Sequence, residues 1–548
     1  SGTSGTTVFT ATSTGNKSDL ADTGTVADPV ITITQGGMQT VKIGKTLDLT
    51  DAASALVLVQ KDATNGDPAA SIAITSDLLD TSAVGNIDDL RANVVTAVTL
   101  DLASTDADVL TATVDEASFD KATSVKVTSV ENVNFGAIDA ANTATLDFTG
   151  VSGTLSVTVD TVNDYTIKGA SGTASTIIMG TGLDKDDVII GGSSKTDSLT
   201  ATINSLTSTT GDLLLTGVES LNLTVTGAST LDLADVTGAT SLTIDGSSNL
   251  TVSNALPDEI VTINTSSATG NMTYGVGTGT VAVTGGSGID IVTGNSGVNN
   301  ISTAGGNDII KFAGTHLNYE DTVNGGANAN TLSYTSDEVI NLADFTNVTN
   351  VQTLTAENTV QMTGNLGALA ASAGISTVTL NDDGDGDNLI IDAGFNTALT
   401  VNLDDGDNAL NASAYTGTLT VAITEAIANA ANDTNTIVGG VGTADVISIT
   451  ADGAGITKAN MATFTKFEKL TIANDATTGA IVLDDANVES GKTFTVNSAA
   501  ITTANKIFNL DASAEADGFL IVNGAAGIDK ITMSQSSNGD NLSLGGAA

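Results

Sequence analysis

Between Gly285 and Lys311 the chain reads GGSGIDIVT, GNSGVNNIS and TAGGNDIIK, three nine-residue units in tandem. Each unit has glycine at its fourth position, Asp or Asn at its sixth, and Val or Ile at its eighth. Glycine permits the left-handed backbone of a tight turn, and the apolar eighth residue is expected to point inward from a short strand. Nine residues therefore predict half a coil, and two units predict a complete one.

The first and third units should lie on the same side of such a coil. Asp290 is then expected to stack above Asp308 at about 4.8 Å, the spacing between strands. Two carboxylates at this distance repel each other by about 3–4 kcal/mol at an effective dielectric constant near 20. A bound Ca²⁺ reverses the sign, because carboxylates and the carbonyl oxygens of glycine turns are its preferred ligands. The block predicts a calcium site.

Degenerate relatives of the unit occur at residues 180–199, 321–332, 439–447 and 524–532, and acidic turns occur at 381–391 and 403–410. They share a Gly-rich or acidic turn with a polar residue before an apolar strand. The metal-ligand candidates that these segments and the last strand supply are Asp184, Asp187, Asp197, Asp321, Asn330, Asp383, Asp385, Asp387, Asp405, Asp407, Asp445, Asp529 and Asp540. The alternative is that these are solvated turns that cap coils without metal.

A second repeat runs through the chain. Four segments alternate as strands do, namely DVLTATVD from Asp108, DSLTATIN from Asp197, NTLSYTSD from Asn330 and DVISITAD from Asp445. Each is followed 22 or 23 residues later by a second signature, at Glu131, Glu219, Gln352 and Glu468. Different lengths of chain follow these fixed heads, which a solenoid tolerates because each coil contacts only its neighbours. We expect the Glu residues to point outward, toward a neighbouring coil or a turn.

The repeats predict an all-β chain with five regions. These are a β-rich N-terminal region at 1–107, with its first 25 or so residues flexible, and solenoid modules at 108–196, 197–329, 330–444 and 445–548. The tandem nonapeptides lie within the second module. Helical patterning is weak, with short candidates at 88–97, 367–373 and 456–464.

Composition narrows the functional classes. The chain has 548 residues, of which 17 are Lys or Arg and 63 are Asp or Glu, so its formal net charge is −46. A nucleic acid or an anionic membrane would be repelled, whereas cations are natural partners. There is no Cys, which excludes disulfides and thiol chemistry. The sequence has no run of about 18 apolar residues, so it predicts no membrane span, and no signal peptide is visible.

The sequence predicts that the chain is not an enzyme. It contains one histidine, His316, so neither a Ser/His/Asp triad nor a histidine-based metal site can be assembled. Five Tyr, no Trp and few basic residues equip it poorly to hold sugars. Paired carboxylates leave a polysaccharide-modifying β-helix enzyme as the least favoured alternative.

The tandem units resemble the calcium-binding nonapeptides of the RTX family, which form parallel β-rolls in secreted bacterial proteins. The resemblance implies a right-handed parallel β-solenoid, with Asp290 and Asp308 as ligands and Asn299 facing the opposite row. Asn in place of Asp there predicts a weaker or empty row. The resemblance also implies that the turn glycines Gly286, Gly288 and Gly306 belong to the metal site and contribute backbone carbonyl oxygens to it.

The segments GVESLNL and SVENVNF are similar to repeats of bacterial S-layer proteins exported by the type I route. This resemblance implies a secreted, calcium-dependent structural protein of the bacterial cell surface that self-associates into a two-dimensional lattice. A cell-surface polysaccharide would be a second partner, through a part of the chain that the sequence does not identify. An RTX-type adhesin or biofilm-matrix protein is the alternative.

Overall fold

The computed structural model describes residues 39–43, 55–57, 71–76, 85–91, 96–102, 111–159, 163–207, 213–380, 386–403, 406–429, 435–534 and 539–544. These residues form an all-β solenoid in which parallel strands stack from coil to coil, as the sequence predicts. The chain divides into two compact units, Ser1–Val281 and Ala282–Ala548. The first 25 residues and most of the proposed N-terminal region lie outside the described residues, and the five region boundaries stay a prediction.

The described residues of unit 1 form three ladders of parallel strands. The first has 8 strands, Gln39–Ile43, Ser71–Ser76, Ala97–Asp101, Ser124–Ser129, Ala144–Val151, Tyr165–Lys168, Val188–Ile190 and Leu214–Thr216. The second has Ala55–Val57, Gly85–Arg91, Thr111–Phe119, Asn132–Ala140, Leu155–Val159, Ser175–Met179, Ser198–Ile203, Ser220–Val225, Ser241–Gly246 and Thr262–Asn264. The third has Ser229–Leu231, Leu250–Ala255 and Met272–Gly275.

In unit 2 the strands of the described segments form four ladders. The longest ladder has Ile291–Thr293, Ile309–Phe312, Thr331–Tyr334, Thr353–Ala356, Thr377–Thr379, Leu399–Asn402, Leu419–Thr424, Val446–Thr450, Lys469–Ile472, Thr493–Asn497, Phe519–Asn523 and Asn541–Ser543. A second ladder has Glu338–Ile340, Met362–Leu366, Asn388–Ile391, Ala409–Asn411, Thr436–Val438 and Phe464–Thr465. The two short ladders are Asn299–Ser302 with Thr322–Asn324 and Val348–Thr349, and Ile481–Val482 with Ile507–Asp511 and Ile528–Thr532. One further strand, Val281–Thr284, begins at the last residue of unit 1.

Rows of stacked side chains form the core, because alternate residues of a strand point to opposite faces. In unit 1 one inward row is Val157, Ile177, Leu199, Leu221, Leu242 and Ile263. In unit 2 one is Val292, Ile310, Leu332, Leu354, Val378, Val401, Val421, Ile447, Leu470, Val496 and Val522, all fully buried. The outward neighbours are mostly Ser and Thr, such as Thr331, Thr353, Thr377, Thr400 and Thr420.

Short helices interrupt the coils of unit 2. The α-helices are Ala368–Ala373, Glu425–Ala428 and Lys458–Met461, and the 3₁₀-helices are Gly314–His316, Leu342–Phe345 and Asp485–Asn487. The helix predicted at 367–373 is confirmed, and Gly374 ends it with a left-handed φ of 103°. The helix predicted at 88–97 is wrong where the structure describes it, since Gly85–Arg91 is a strand. Within 456–464 only Lys458–Met461 is helical.

Candidate metal centre

The tandem nonapeptides form successive coils in the predicted register. Ile291 pairs with Ile309, so Asp290 and Asp308 lie on the same side of consecutive coils. The backbone N–H of Asp290 donates to Asp308 Oδ1 at 2.8 Å. One carboxylate therefore faces a backbone donor of the neighbouring coil, an attraction that reasoning from side-chain charges alone did not anticipate.

This contact recurs along both units, and we call it a cross-coil cap. In each case, a residue within one position of the first residue of a strand donates its N–H to a side-chain oxygen one coil further along the chain. The donor and acceptor pairs are Tyr165 and Asp187 (2.8 Å), Ser175 and Asp197 (2.6 Å), Asn299 and Asp321 (2.7 Å), Asp308 and Asn330 (3.0 Å), Met362 and Asp387 (2.6 Å), Leu419 and Asp445 (2.8 Å), and Leu520 and Asp540 (3.0 Å). The caps satisfy buried donors that would otherwise cost about 1–3 kcal/mol each.

The glycine turns bind the carboxylates too. Gly286 donates to Asp290 Oδ2 at 3.1 Å, and Gly192 and Gly440 each donate at 2.7 Å to Asp197 Oδ2 and Asp445 Oδ2, respectively. The other turn contacts are Asp184 to Asp187 Oδ2 (2.9 Å), Asn318 to Asp321 Oδ2 (2.8 Å) and Ala525 to Asp529 Oδ1 (2.7 Å). The aspartates that the sequence predicts as metal ligands thus accept backbone hydrogen bonds in these turns.

Asparagine at these corners uses its amide group differently. Asn299 Nδ2 donates to the carbonyl oxygens of Asn295 at 3.0 Å and Gly297 at 2.8 Å. Asn330 Nδ2 likewise donates to the carbonyl oxygen of Asn350 at 3.0 Å. Because an amide N–H₂ donates to carbonyl oxygens that a cation would need, the geometry does not favour an ion at these two residues.

Asp308 is one of the two buried carboxylates of the tandem block. Its side chain is fully buried, and its Oδ2 has no hydrogen-bond partner. Burial raises the pKa of Asp308 above its ordinary value, partly offset by the hydrogen bond from the Asp290 N–H. A carboxylate oxygen in this position needs a donor or a cation, because an unpaired buried charge is costly.

Gly306 lies close to this carboxylate and to the preceding coil. A Cβ placed on Gly306 would overlap the carbonyl oxygen of Gly288 and would lie 2.6 Å from Asp308 Oδ1. The carbonyl oxygen of Gly288 and Asp308 Oδ1 thus both approach Gly306, next to Oδ2 of the same carboxylate. These oxygens fit a hard cation such as Ca²⁺.

Replacing Gly306 with alanine is expected to lower the free energy of unfolding by about 1–3 kcal/mol, from the overlap with Gly288 and from its φ of 138°. Urea unfolding followed by circular dichroism measures the change. Gly279→Ala is the matched control, since its Cβ would lie 3.6 Å from the nearest oxygen. Equal effects of the two changes would contradict the crowding at Gly306.

The second signature supplies further cross-coil caps. The N–H of Asp197 donates to Glu219 Oε2 and the N–H of Asp445 donates to Glu468 Oε2, both at 2.8 Å. The N–H of Asn330 donates to Gln352 Oε1 at 2.8 Å. The constant separation of 22 or 23 residues is therefore the length of one coil. Head and second signature are consecutive strands of one ladder.

The remaining predicted ligands have varied surroundings. Asp407 is exposed, and Asp540 Oδ2 accepts a hydrogen bond from Ser534 Oγ. Asp383, Asp385 and Asp405 lie outside the described residues. Asp184 is only half-buried, and its Oδ1 accepts the N–H of Asp186 at 2.9 Å.

Two acidic clusters could hold a metal ion in the described part of the chain. In each, one carboxylate oxygen per residue lies within 4.8 Å of the others; the clusters are Asp164, Asp184 and Asp186, and Asp485, Glu515 and Asp517. Sequence reasoning identified only Asp184 among these six residues. In the first cluster Lys185 Nζ lies 2.7 Å from Asp186 Oδ1, so a lysine already supplies positive charge there.

Comparison of the chain with family models, curated proteins and solved structures finds no match. Within the described residues, the structure has no helix that is both long and apolar enough to cross a membrane.

Proposed function

We propose that this chain is a structural β-solenoid protein of a bacterial cell surface that folds and self-assembles into an S-layer lattice in response to calcium. The observation that carries the proposal is Asp308, whose buried Oδ2 lacks a hydrogen-bond partner beside the oxygens that converge on Gly306. A divalent cation there would link two consecutive coils, because Gly288 and Asp308 belong to different ones. The resemblance of the tandem units to RTX nonapeptides supports calcium as the ion.

The charge of the chain supports a calcium switch. At a net charge of −46 the chain repels itself, and few basic residues offset this. Where free calcium is scarce, inside the cell, the repulsion keeps the chain loose enough for type I export. At the millimolar concentrations outside, ions bind the turns and stabilise the folded coils by mass action.

The outward rows support a structural role. Thr353, Thr377 and Thr400 follow one another in register along one ladder of unit 2. Such rows present a uniform polar surface, and contacts between copies can repeat along it. A structural surface protein needs repeated contacts of this kind, whereas an enzyme needs one cleft with convergent catalytic groups.

Asp308→Asn is expected to remove a large part of the calcium dependence while leaving the fold intact in chelator. An asparagine amide can donate to turn carbonyl oxygens, as Asn299 does at the equivalent position of its unit. Calcium should raise the melting temperature of the unchanged protein by clearly more than that of the variant, as measured by circular dichroism. The exposed Asp235→Asn is the control. An unchanged protein that melts equally in calcium and in chelator would remove the main support for the proposal.

Electron microscopy of the purified chain with and without calcium tests the lattice itself. A periodic sheet that forms only with calcium is the expected result. Particles that stay monomeric with calcium and bind a glycan would indicate the alternative, an adhesin or biofilm-matrix protein. Turnover of acidic polysaccharides would indicate an enzyme and would overturn the proposal.

A further inference from the structure

One inward turn position recurs along the solenoid. The residue at this position donates its N–H to the carbonyl oxygen three residues earlier, and its side chain points into the core. Members include Val236, Ala268, Phe395, Tyr415, Ile501 and Glu515, each at most 1% exposed. Asp187 and Asp321 make the same backbone contact and are equally buried, but both oxygens of each accept a backbone N–H.

The carboxylate of Glu515 is only half satisfied. Its Oε1 accepts the N–H groups of Asp517 at 3.0 Å and Gly518 at 2.6 Å. Its Oε2 is buried and has no hydrogen-bond partner. Tyr415 instead directs its hydroxyl group to the carbonyl oxygens of Thr397 and Thr418. Glu515 thus leaves a buried oxygen available for a ligand.

Two further carboxylates converge on Glu515. One carboxylate oxygen from each of Asp485, Glu515 and Asp517 lies within 4.8 Å of the others. Asp485 begins a 3₁₀-helix in the preceding coil, and its Oδ1 accepts the N–H of Ala516 at 2.9 Å, which holds the two coils together at this corner. Asp485 and Asp517 are exposed while Glu515 is buried, so the cluster opens to solvent on one side.

The electrostatics of the cluster are unfavourable without a cation. Burial raises the pKa of Glu515, the N–H groups of Gly518 and Asp517 partly offset this, and the negative charges of Asp485 and Asp517 raise it further. A divalent ion between the three carboxylates would turn this repulsion into attraction.

We infer that Asp485, Glu515 and Asp517 form a binding site for a hard divalent cation, with calcium as the preferred ion. Carboxylate oxygens are the ligands of hard cations, and an irregular set of three with water on the open side suits Ca²⁺ better than the strict octahedron of Mg²⁺. The site lies outside every nonapeptide-like segment. It does not depend on the proposed lattice function.

Counting bound ions tests the site on the whole chain. Native mass spectrometry in calcium should show one ion fewer per chain in Glu515→Gln than in the unchanged protein, and the same loss in the double variant Asp485→Asn, Asp517→Asn. The double variant changes only exposed side chains, so it keeps the test valid if Glu515→Gln folds poorly. Magnesium in place of calcium should give weaker binding at this site.

Glu425→Gln is the matched control. Glu425 is also fully buried, and its Oε2 accepts N–H groups of Asp452, Gly453 and Gly479 while its Oε1 has no hydrogen-bond partner. It belongs to neither of the acidic clusters found in the described residues. The control should keep the full number of ions.

Glu515→Val places at this position the residue found at Val236 and should abolish binding at the cluster, although it also removes the acceptor of the Asp517 and Gly518 N–H groups, so the ion count is its readout. Ion counts equal to the unchanged protein in both Glu515→Gln and the double variant would overturn the inference. Loss of the ion with unimpaired sheet formation would leave the lattice proposal standing. Absence of sheets with the ion still bound would refute that proposal alone.

Discussion

Replacing Asp197 with alanine is expected to lower the free energy of unfolding of its region by about 2–6 kcal/mol. Asp197 is fully buried, and its two oxygens accept the N–H groups of Ser175 at 2.6 Å and Gly192 at 2.7 Å. Alanine leaves the buried N–H of Ser175 and the half-buried N–H of Gly192 without these acceptors, at a cost of up to about 1–3 kcal/mol each. The neighbouring coils should also become less stable, because solenoid coils stabilise each other.

Hydrogen exchange is the most direct measurement of this effect. The amides of Ser175 and Gly192 should exchange much faster in Asp197→Ala, since local opening then costs less. Asp197→Asn should be intermediate, because its carbonyl oxygen can still accept from Ser175 while its N–H₂ faces the Gly192 donor. The exposed Glu259→Ala should change stability by less than about 0.5 kcal/mol. Unchanged protection of both amides in Asp197→Ala would contradict the cross-coil cap.

Raising the pH from 5 to 9 is expected to destabilise unit 2 through Glu338. This glutamate is 3% exposed, its Oε2 lacks a hydrogen-bond partner, and burial together with the negative charge of Asp344 raises its pKa from 4.5 to about 8. Between these two pH values the folded chain holds a proton that the unfolded chain has released. The contribution of neutral Glu338 to the free energy of unfolding is therefore fully present below about pH 4.5 and is lost as the pH rises through about 8.

The groups facing Glu338 reinforce this direction. The pKa of Asp344 is raised by burial, partly offset by hydrogen bonds from Asn341, and the pKa of Tyr334 is raised well above 10 by burial and by the charges of Glu338 and Asp344. At about 1.4 kcal/mol per pKa unit, the loss for Glu338 is on the order of 4 kcal/mol.

Glu338→Gln should flatten this pH dependence, because glutamine stays neutral at every pH. Unfolding of both proteins in urea at pH 5, 7 and 9 measures the difference, and the variant should be the more stable at pH 9. Glu320→Gln, at an exposed glutamate, should leave the profile unchanged. Parallel profiles for the unchanged protein and Glu338→Gln would contradict a neutral buried carboxyl group.

The coil length of the tandem block could be predicted from the sequence because its period is strict. Nine-residue units predicted that Asp290 and Asp308 lie on one side of consecutive coils, and the pairing of Ile291 with Ile309 confirms it. The inward residues Val292 and Ile310 were predicted by the same period and are fully buried.

The repeat of a head followed 22 or 23 residues later by a second signature could be recognised in the sequence, but its physical origin, the length of one coil, was not. The head at Asp197 and the signature at Glu219 are consecutive strands, and the glutamate accepts the N–H of the aspartate. A fixed separation between two motifs could have been interpreted as one coil. The prediction that these glutamates reach a neighbouring coil agrees with the contacts of Glu219 and Glu468.

The acidic cluster at Glu515 could not be found from local patterns. Asp485 and Glu515 are separated by about one irregular coil, and their segments do not follow the nonapeptide. Elsewhere in unit 2 the coil length changes from 18 residues, between Asp290 and Asp308, to 31, between Asp485 and Ala516. With variable coils, cross-coil neighbours depend on the whole path of the chain.

The sequence by itself determined the stacked parallel strands, because alternating apolar residues and glycine turns can bury a continuous core only by packing coil on coil. The sequence also identified the polar residue that precedes the apolar strand in each nonapeptide-like segment. Only the tertiary structure decided what each carboxylate binds, since a backbone N–H, an amide or an open space can face it from the next coil. Hydrogen-bond geometry changes over fractions of an ångström, and the register between coils sets it, whereas hydrophobic burial depends only on which face a residue occupies.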